Sequence, residues 1–374
     1  MGRRLLILPM AGPNGSALAN TVYVMSRRGV TLIVVSVLIV VLAAVGFVMP
    51  VPYVALSPGP TENTLGKNDQ GVPLIQIQGR QVYTDTGHLN FTTVAYQGGP
   101  ESPIDLFTAL RGWLSSDTAV VPQEAIFPPS QSTKQVQQQD VQQMAGSQQN
   151  ATAAALTELK IPFEKIVVVA SVTKGMPADG KLLPGDQLVA IDGIKTATAP
   201  DVMAVMKPHK PGDKIVVTVK RAGKDLQIPI TTVASQDGRN RAVMGILPGP
   251  DFQFPLTVKI SVGDIGGPSA GLMFSLGIYD KLAPGGLTGG KFVAGTGTID
   301  PSGTVGPIGG IQQKMIAARD AGATIFLTPK DNCKEAVPAA PSGLRLVRAD
   351  TMDGAIKALE ALRANPAAQV PTCG

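Results

Sequence analysis

The sequence predicts an α+β chain: one apolar N-terminal helix, a small β-rich block in the middle, and a C-terminal block in which strands and helices alternate. Three observations carry this. Val30 to Met49 (VTLIVVSVLIVVLAAVGFVM) contains no charge. Residues 163–235 read as short strands separated by turn-forming pairs, and from Ala242 to about Leu362 strand-length and helix-length segments follow one another. A chain of 374 residues has room for two domains and a tail. The expected divisions are 1–29, 30–50 for the apolar helix, 51–162, 163–235 and 236–374 with the tail.

Twenty residues at about 1.5 Å each span roughly 30 Å, the thickness of a bilayer's hydrocarbon core. Arg27 and Arg28 abut the start of the run, and the next basic residue is Lys67. The positive-inside rule therefore keeps residues 1–29 cytoplasmic and places the bulk of the chain outside, on a single-pass cell-membrane anchor. A cleaved signal peptide is the alternative, but its apolar core is usually about 7–15 residues, and Ala43-Ala44-Val45 is a poor cleavage site. Met25, just ahead of the arginines, is a second candidate start. Arg3, Arg4, Arg27 and Arg28 supply four of the net five positive charges. The remainder is nearly neutral, which argues against a nucleic-acid partner.

After the anchor, Pro50–Pro60 reads as an extended juxtamembrane segment. Leu74–Ile77 and Leu89–Val94 suggest strands, and Ile104–Leu114 a helix. The glutamine-rich Gln135–Gln149 places Val136, Asp140, Val141, Met144 and Ala145 at helical spacing, so a helix over about 135–159 is expected, with a solvated linker as the alternative. In the middle block, Lys165–Val172, Leu188–Ile191, Gly212–Arg221 and Leu226–Val233 are strands, with an Asp192-Gly193 turn and a short helix over Asp201–Met206. Further on come a strand over Phe254–Val262, a helix through Leu282 and a strand over Phe292–Gly297. A turn or hairpin over Thr298–Gly306 leads to a helix over Ile311–Ala321. The alternation continues with a strand at Thr324–Leu327, helix 331–337, strand Leu344–Arg348 and helix Met352–Ala364.

Two runs carry chemistry: Gly266-Gly267-Pro268-Ser269-Ala270-Gly271 and Pro307-Ile308-Gly309-Gly310-Ile311-Gln312-Gln313-Lys314. A serine at a helix start, with Pro268 in a favourable first-turn position, lies near unpaired backbone N–H groups that can stabilise an oxyanion. The nucleophile needs a base, and the only histidines, His88 and His209, precede it. Lys314 is the leading base. To accept a proton it must be neutral, and bringing a lysine from about 10.4 to roughly 7–8 takes on the order of 4 kcal/mol of burial and missing counter-charge. No acid lies between Asp300 and Asp320, and Ile311, Met315 and Ile316 are apolar. An exposed lysine on an amphipathic helix is the ordinary alternative.

Rival motifs fail on the same residues. Gly267–Gly271 fits GxSxG, yet no histidine follows it to complete an α/β-hydrolase triad. Ser171–Lys174 fits SxxK without its companion motifs. Gly285–Lys291 has Phe292 where a Walker loop needs Ser or Thr, and the Gly295-Thr296-Gly297 stretch lacks the third glycine of a dinucleotide fold. No metal-ligand spacing is present, so no metal or cofactor is expected. Cys333 and Cys373 are the only cysteines. Export favours a disulfide between them, with two buried thiols as the alternative.

The run LLPGDQLVAIDG, followed by a helix and then GDKIVVTVKRAGK, resembles a PDZ domain over roughly seventy residues. That implies a small barrel or sandwich with helices that binds peptide termini by strand addition. Residues 160–166 do not match the usual carboxylate-binding loop, and a structural spacer is the alternative role. GPSAG, and TGTIDPSGTVG leading into PIGGIQQK, make residues 242–362 similar to the proteolytic domain of Lon-type peptidases, a mixed α/β fold. The resemblance implies Ser269 as nucleophile and Lys314 as general base, with Gly267, Pro268 and Ala270 shaping the serine loop. It further implies that Thr296 supports the lysine by hydrogen bonding. Gly266 stands where that family often has an acid, and Gln312-Gln313 where it has Lys-Glu. The order anchor, PDZ, peptidase resembles a membrane-anchored group of Gram-positive bacteria, in which residues 70–160 join the peptidase body. The resemblance implies an ATP-independent endopeptidase acting on unfolded or flexible exported proteins, assembled as a homo-oligomer. A non-catalytic scaffold or chaperone is the rival.

Overall fold

The computed structural model describes residues 27–67 and 71–374. The expected start at Met25, and all of the N-terminal segment ahead of Arg27, lie outside the described residues. Helix α1 (Arg27–Val48) is the one helix among the described residues long and apolar enough to cross a membrane, with a mean hydropathy of 3.0 and nearly every side chain exposed. It runs into β1 (Pro50–Val51) and β2 (Tyr53–Asn63), followed by β3 (Ile75–Gln78), β4 (His88–Gln97) and β5 (Ile104–Asp105). Then come α2 (Leu106–Leu114), β6 (Ala119–Pro122) and α3 (Thr133–Glu158). The glutamine-rich segment is helical. Ser132 and Gln135 form a capping box at its start, and Ala151–Leu156 are buried near its end.

The middle block comprises β7 (Glu164–Val172), β8 (Gln187–Ile191), β9 (Ile194–Lys195), α4 (Ala199–Met206), β10 (Lys214–Arg221) and β11 (Lys224–Thr231). A short pair, β12 (Val233–Ala234) and β13 (Ala242–Val243), precedes β14 (Ile246–Gln253). The sheet order is β11-β10-β8-β7-β14, with β9 on β8. Asp192 (φ 50°) and Gly193 (φ 80°) turn β8 into β9, and Ala222 (φ 51°) and Gly223 (φ 79°) turn β10 into β11, as two-residue hairpins require. Asp186 is buried and accepts from Arg221 Nε at 2.7 Å and from the Leu183 N–H at 2.8 Å. Burial pushes its carboxyl up, but these bonds outweigh it and hold the group below its ordinary value. The division expected at residue 235 falls within the run of strands that make up this sheet. β14 pairs with β7 along its whole length, so the sheet runs on to Gln253.

The last part holds β15 (Thr257–Ile260), α5 (Gly271–Leu282), β16 (Phe292–Gly295), β17 (Thr298–Ile299), β18 (Val305–Gly306) and α6 (Ile311–Asp320). It closes with β19 (Ile325–Pro329), α7 (Cys333–Ala336), β20 (Arg345–Ala349) and α8 (Met352–Ala364). The strand expected over Phe254–Val262 is shorter because Pro255 breaks it, and helix 331–337 is one α turn between 3₁₀ segments. The main sheet has the order β20-β19-β16-β4-β2-β6. β4, β16, β19 and β20 run parallel, β2 is antiparallel to β4, and β6 is antiparallel to β2. All five residues of β19 are buried, as a strand covered on both faces requires. Ile325 and Leu327 face a core with α3, α5 and α8, while Phe326 faces α6 and α7.

Pro50–Pro60, expected as an extended juxtamembrane segment, is extended, and it forms β1 and most of β2 within the sheets. β2 is an inner strand, between β4 and β6. Its prolines are tolerated because β6 reaches only Tyr53–Leu56, and pairing with β4 is interrupted between Pro58 and Thr61. Cys333 and Cys373 are disulfide-bonded, and the Arg345 guanidinium donates to the carbonyls of Pro366 and Ala368, fastening the tail.

The two halves of the main body meet closely at Gly277 of α5. A Cβ there would lie 2.7 Å from Thr64 Oγ1 and 2.9 Å from Ile75 Cδ1. Gly277→Ala is expected to lower stability by about 1–3 kcal/mol through overpacking, read as a lower denaturation midpoint at unchanged slope.

Candidate active site

The serine loop is gripped from two sides. From α3, the Asp140 carbonyl accepts from the Gly267 N–H at 3.1 Å, and Ser147 Oγ donates to the Pro268 carbonyl at 3.0 Å. From the end of β16, the Gly297 N–H and Thr296 Oγ1 both donate to the Ser269 carbonyl, at 2.8 and 2.9 Å. Gly267 carries φ 84°, a conformation open to glycine, and this lets the chain turn sharply into Pro268 and Ser269. Helix α5 begins at Gly271 with Ala270 as its N-cap, so Pro268 is not in the first turn as expected. Ser269 sits just ahead of the cap. Among the described residues, no protein acceptor is found for the N–H groups of Ser269 or Ala270.

Lys314 lies in the second turn of α6 and is 3% exposed. Helix α6 starts at Gly310 in the left-handed region (φ 68°), where a Cβ would lie 2.7 Å from Val94 Cγ2. That close approach lays the helix against β4. Asn332 fixes the entry: its Oδ1 accepts from the Ile308 N–H at 3.0 Å and its Nδ2 donates to the Ile308 carbonyl at 2.9 Å. The Lys314 Nζ then lies 3.0 Å from Ser269 Oγ and donates to the Thr92 carbonyl at 2.7 Å. No ion pair to Lys314 is found among the described residues, and burial alone lowers its amine from 10.5 to about 8.

The structure thus brings Ser269 and Lys314 together, with Gly267, Pro268 and Ala270 shaping the loop. Thr296 differs from expectation: fully buried, it bonds the serine's carbonyl rather than the lysine. Thr92 on β4 had no signal in the sequence. Neither had Ser147 and Asp140 on α3, since only the folded sheet brings residues so distant in sequence to the site.

A second concavity, about 780 Å³, lies between α4 and the segment 235–248. Met176, Met203, Met206 and Met244 line it, with Lys207 and Arg241 among its charged residues. Residues 160–166, which do not match a carboxylate-binding loop, do not line it; the groove borders the start of β14. That edge is unusual. The Val169 N–H and carbonyl are bonded to Asp186 and Gly185 on the β8 side, so its partner Pro248 turns its backbone away from β7. By alternation Pro250 does the same, leaving Ile246 as the donor on the outer edge near the groove.

The model for PDZ domains matches residues 136–232, and the model for the Lon protease (S16) C-terminal proteolytic domain matches residues 257–361. The chain carries a PDZ domain and a Lon-type proteolytic domain. It is similar to the Lon protease of Heliobacterium modesticaldum, at 31% identity over 171 residues, covering 43% of this chain and 20% of that protein. It is also similar to Lon protease 1 of Bacillus subtilis, at 26% identity over 174 residues, 45% of this chain and 22% of that protein. The chain therefore spans about a fifth of the length of these Lon proteases. The PDZ domain of the SdrC-like protein of Listeria monocytogenes is 28% identical, covering 22% of this chain and 85% of its own, with a TM-score of 0.21.

Because Thr296 holds the backbone of Ser269, the candidate nucleophile, Thr296→Val is expected to leave the protein folded. Peptide hydrolysis should fall about 10–100-fold, mainly in kcat, since misplacement of a reacting atom acts on the chemical step. Steady-state kinetics on a fluorogenic peptide reads this directly.

Proposed function

We propose that the chain is a membrane-anchored, extracytoplasmic serine endopeptidase that uses a Ser269–Lys314 dyad to cleave unfolded or flexible segments of exported proteins. The observation that carries the reading is the buried, uncompensated amine of Lys314 at 3.0 Å from the Ser269 hydroxyl. On this reading cleavage proceeds without nucleotide hydrolysis, on segments that are already unfolded or flexible.

The neutral amine takes the hydroxyl proton as Ser269 Oγ attacks the scissile carbonyl. The resulting ammonium stays bonded to the Thr92 carbonyl. The oxyanion is held by the free N–H groups of Ser269 and Ala270. Collapse breaks the C–N bond, the ammonium returns its proton to the departing amine, and an acyl-enzyme remains. Water, deprotonated by the same amine, then releases the acid and restores the serine. The PDZ groove is assigned the capture of a peptide C-terminus, its methionines taking the last apolar side chain and Lys207 the carboxylate, since Arg241 is paired with Asp237. With Pro248 and Pro250 on the edge, strand addition is short, and recognition is confined to the last few residues of the ligand.

With full-length protein in detergent and a casein substrate, Ser269→Ala and Lys314→Ala are each expected to lower kcat by about 10⁴-fold or more. Equal turnover in wild type and both variants would retire the dyad and leave the scaffold reading. The base is active only when neutral, so kcat/KM should rise tenfold per pH unit below about 8 and level off above it. A profile flat from pH 6 to 9 overturns Lys314 as base.

A further inference from the structure

Helix α2 is turned inside out for a surface helix. Its small residues Ala109 and Gly112 are buried, and a Cβ at Gly112 would lie 2.5 Å from Val120 Cγ2 on β6. Its large apolar residues point outward instead: Phe107 is 36% exposed, Leu110 40%, Trp113 50% and Leu114 90%. Phe107, Leu110 and Leu114 follow the i, i+3, i+7 spacing of one stripe, with Arg111 on one flank and Trp113 on the other. An isolated domain in water has no reason to present such a face.

The place of this helix in the fold says what covers it. The chain leaves α1 at Val48, and within two residues β1 pairs with β5, in the register Pro50 with Asp105 and Val51 with Ile104. Helix α2 starts at the next residue, Leu106. The Phe47 ring, one residue from the end of α1, packs on the Phe107 ring at 4.6 Å, and a Cβ at Gly46 would lie 2.5 Å from the same ring. Tyr53 meets Trp113 edge-on at 5.2 Å. The apolar face of α2 is thus continuous with the apolar surface of α1 at the end where α1 gives way to the folded body.

We propose that α2 lies in the outer headgroup region of the bilayer spanned by α1, with Phe107, Leu110, Trp113 and Leu114 inserted among the lipid chains. This rests on the reading of α1 as a membrane span. Trp and Tyr favour the level where one edge is apolar and the other wet, and Arg111 reaches from the flank toward lipid phosphates. The peptidase body is then fastened at two points, so it cannot swing freely about the single chain that emerges at Val48. The occupant is lipid rather than a second copy of the chain.

Trp113 is the chain's only tryptophan, so its fluorescence reports on this helix alone. The full chain is placed in phosphatidylcholine nanodiscs and compared across discs whose lipid is brominated close to the headgroup or close to the bilayer centre. Emission at shorter wavelength than tryptophan in water, with severalfold stronger quenching by the shallow bromines, is the expected result. Leu110→Ser/Leu114→Ser should shift emission to the red and lose most of the quenching while casein turnover is retained. Emission typical of water, or a blue shift that neither lipid quenches, overturns the proposal; the latter marks a protein partner. A chain that does not co-elute with the discs fails at the earlier step, the anchor, and overturns both.

Discussion

A primary amine kept out of water, with a carbonyl and a hydroxyl for company, is the constraint on which the rest of this molecule depends. Moving the Lys314 pKa from 10.5 to about 8 represents about 3 kcal/mol of preference for the neutral form. At pH 7 that leaves roughly a tenth of the amines unprotonated, against on the order of one in three thousand for an ordinary lysine. The effect comes from what is excluded. Helix α6 has no acid in its first two turns, and the buried residues Ile311, Met315 and Phe326 form the core beside it. A single carboxylate in reach would restore the charge and remove the proposed base.

Holding that geometry requires four remote pieces of chain. Thr92 comes from β4, Ser269 from the loop ahead of α5, Thr296 and Gly297 from the end of β16, and Lys314 from α6. The parallel pairing of β4 with β16, Phe91 opposite Gly295, sets the Thr92 carbonyl beside the strand end that grips the serine. Helix α3 closes the loop from the other side and explains a departure from the family pattern. A Cβ at Gly266 would lie 2.8 Å from Asp140 Cβ, so an acidic side chain at 266 has no room while α3 sits where it does.

What was legible in the sequence was local. The candidate pair Ser269 and Lys314 could be picked out because a serine and a lysine in glycine-rich surroundings, with no later histidine, leave few chemical options. The turns at Asp192-Gly193 and Ala222-Gly223 are written in their residue types, and helix Met352–Ala364 in its periodicity. What was not legible was non-local. The lysine's carbonyl partner is 222 residues away and is a backbone atom, which no side-chain pattern encodes. Ser147 is 121 residues from Pro268, in a glutamine-rich stretch whose polarity suits a linker equally well. The prolines of β2 and β14 disguised strands because proline is excluded only where a ladder N–H is needed, and strand neighbours decide where that is. Thr296 was expected to bond the lysine, whereas its hydroxyl donates to the Ser269 carbonyl, a partner that only the fold brings to it.

The same non-local logic accounts for how a second domain fits within the chain without breaking the first. The PDZ sheet is entered at β7 and left at β14, and these are antiparallel neighbours, Glu164 opposite Gln253. An insertion whose ends are one ladder step apart asks little of its host, because the gap it must bridge is a strand spacing. The junction is also packed. Phe163, Phe252 and Phe254 form a cluster with centroids 5.4–5.6 Å apart, and Phe163 and Phe254 pack on the main core. Helix α3, which braces the serine loop through Asp140 and Ser147, runs into this junction through Ile161 and Pro162. Helix α3, which braces the serine loop, and β7, the first strand of the PDZ sheet, are therefore consecutive in the chain, joined through packed aromatic rings.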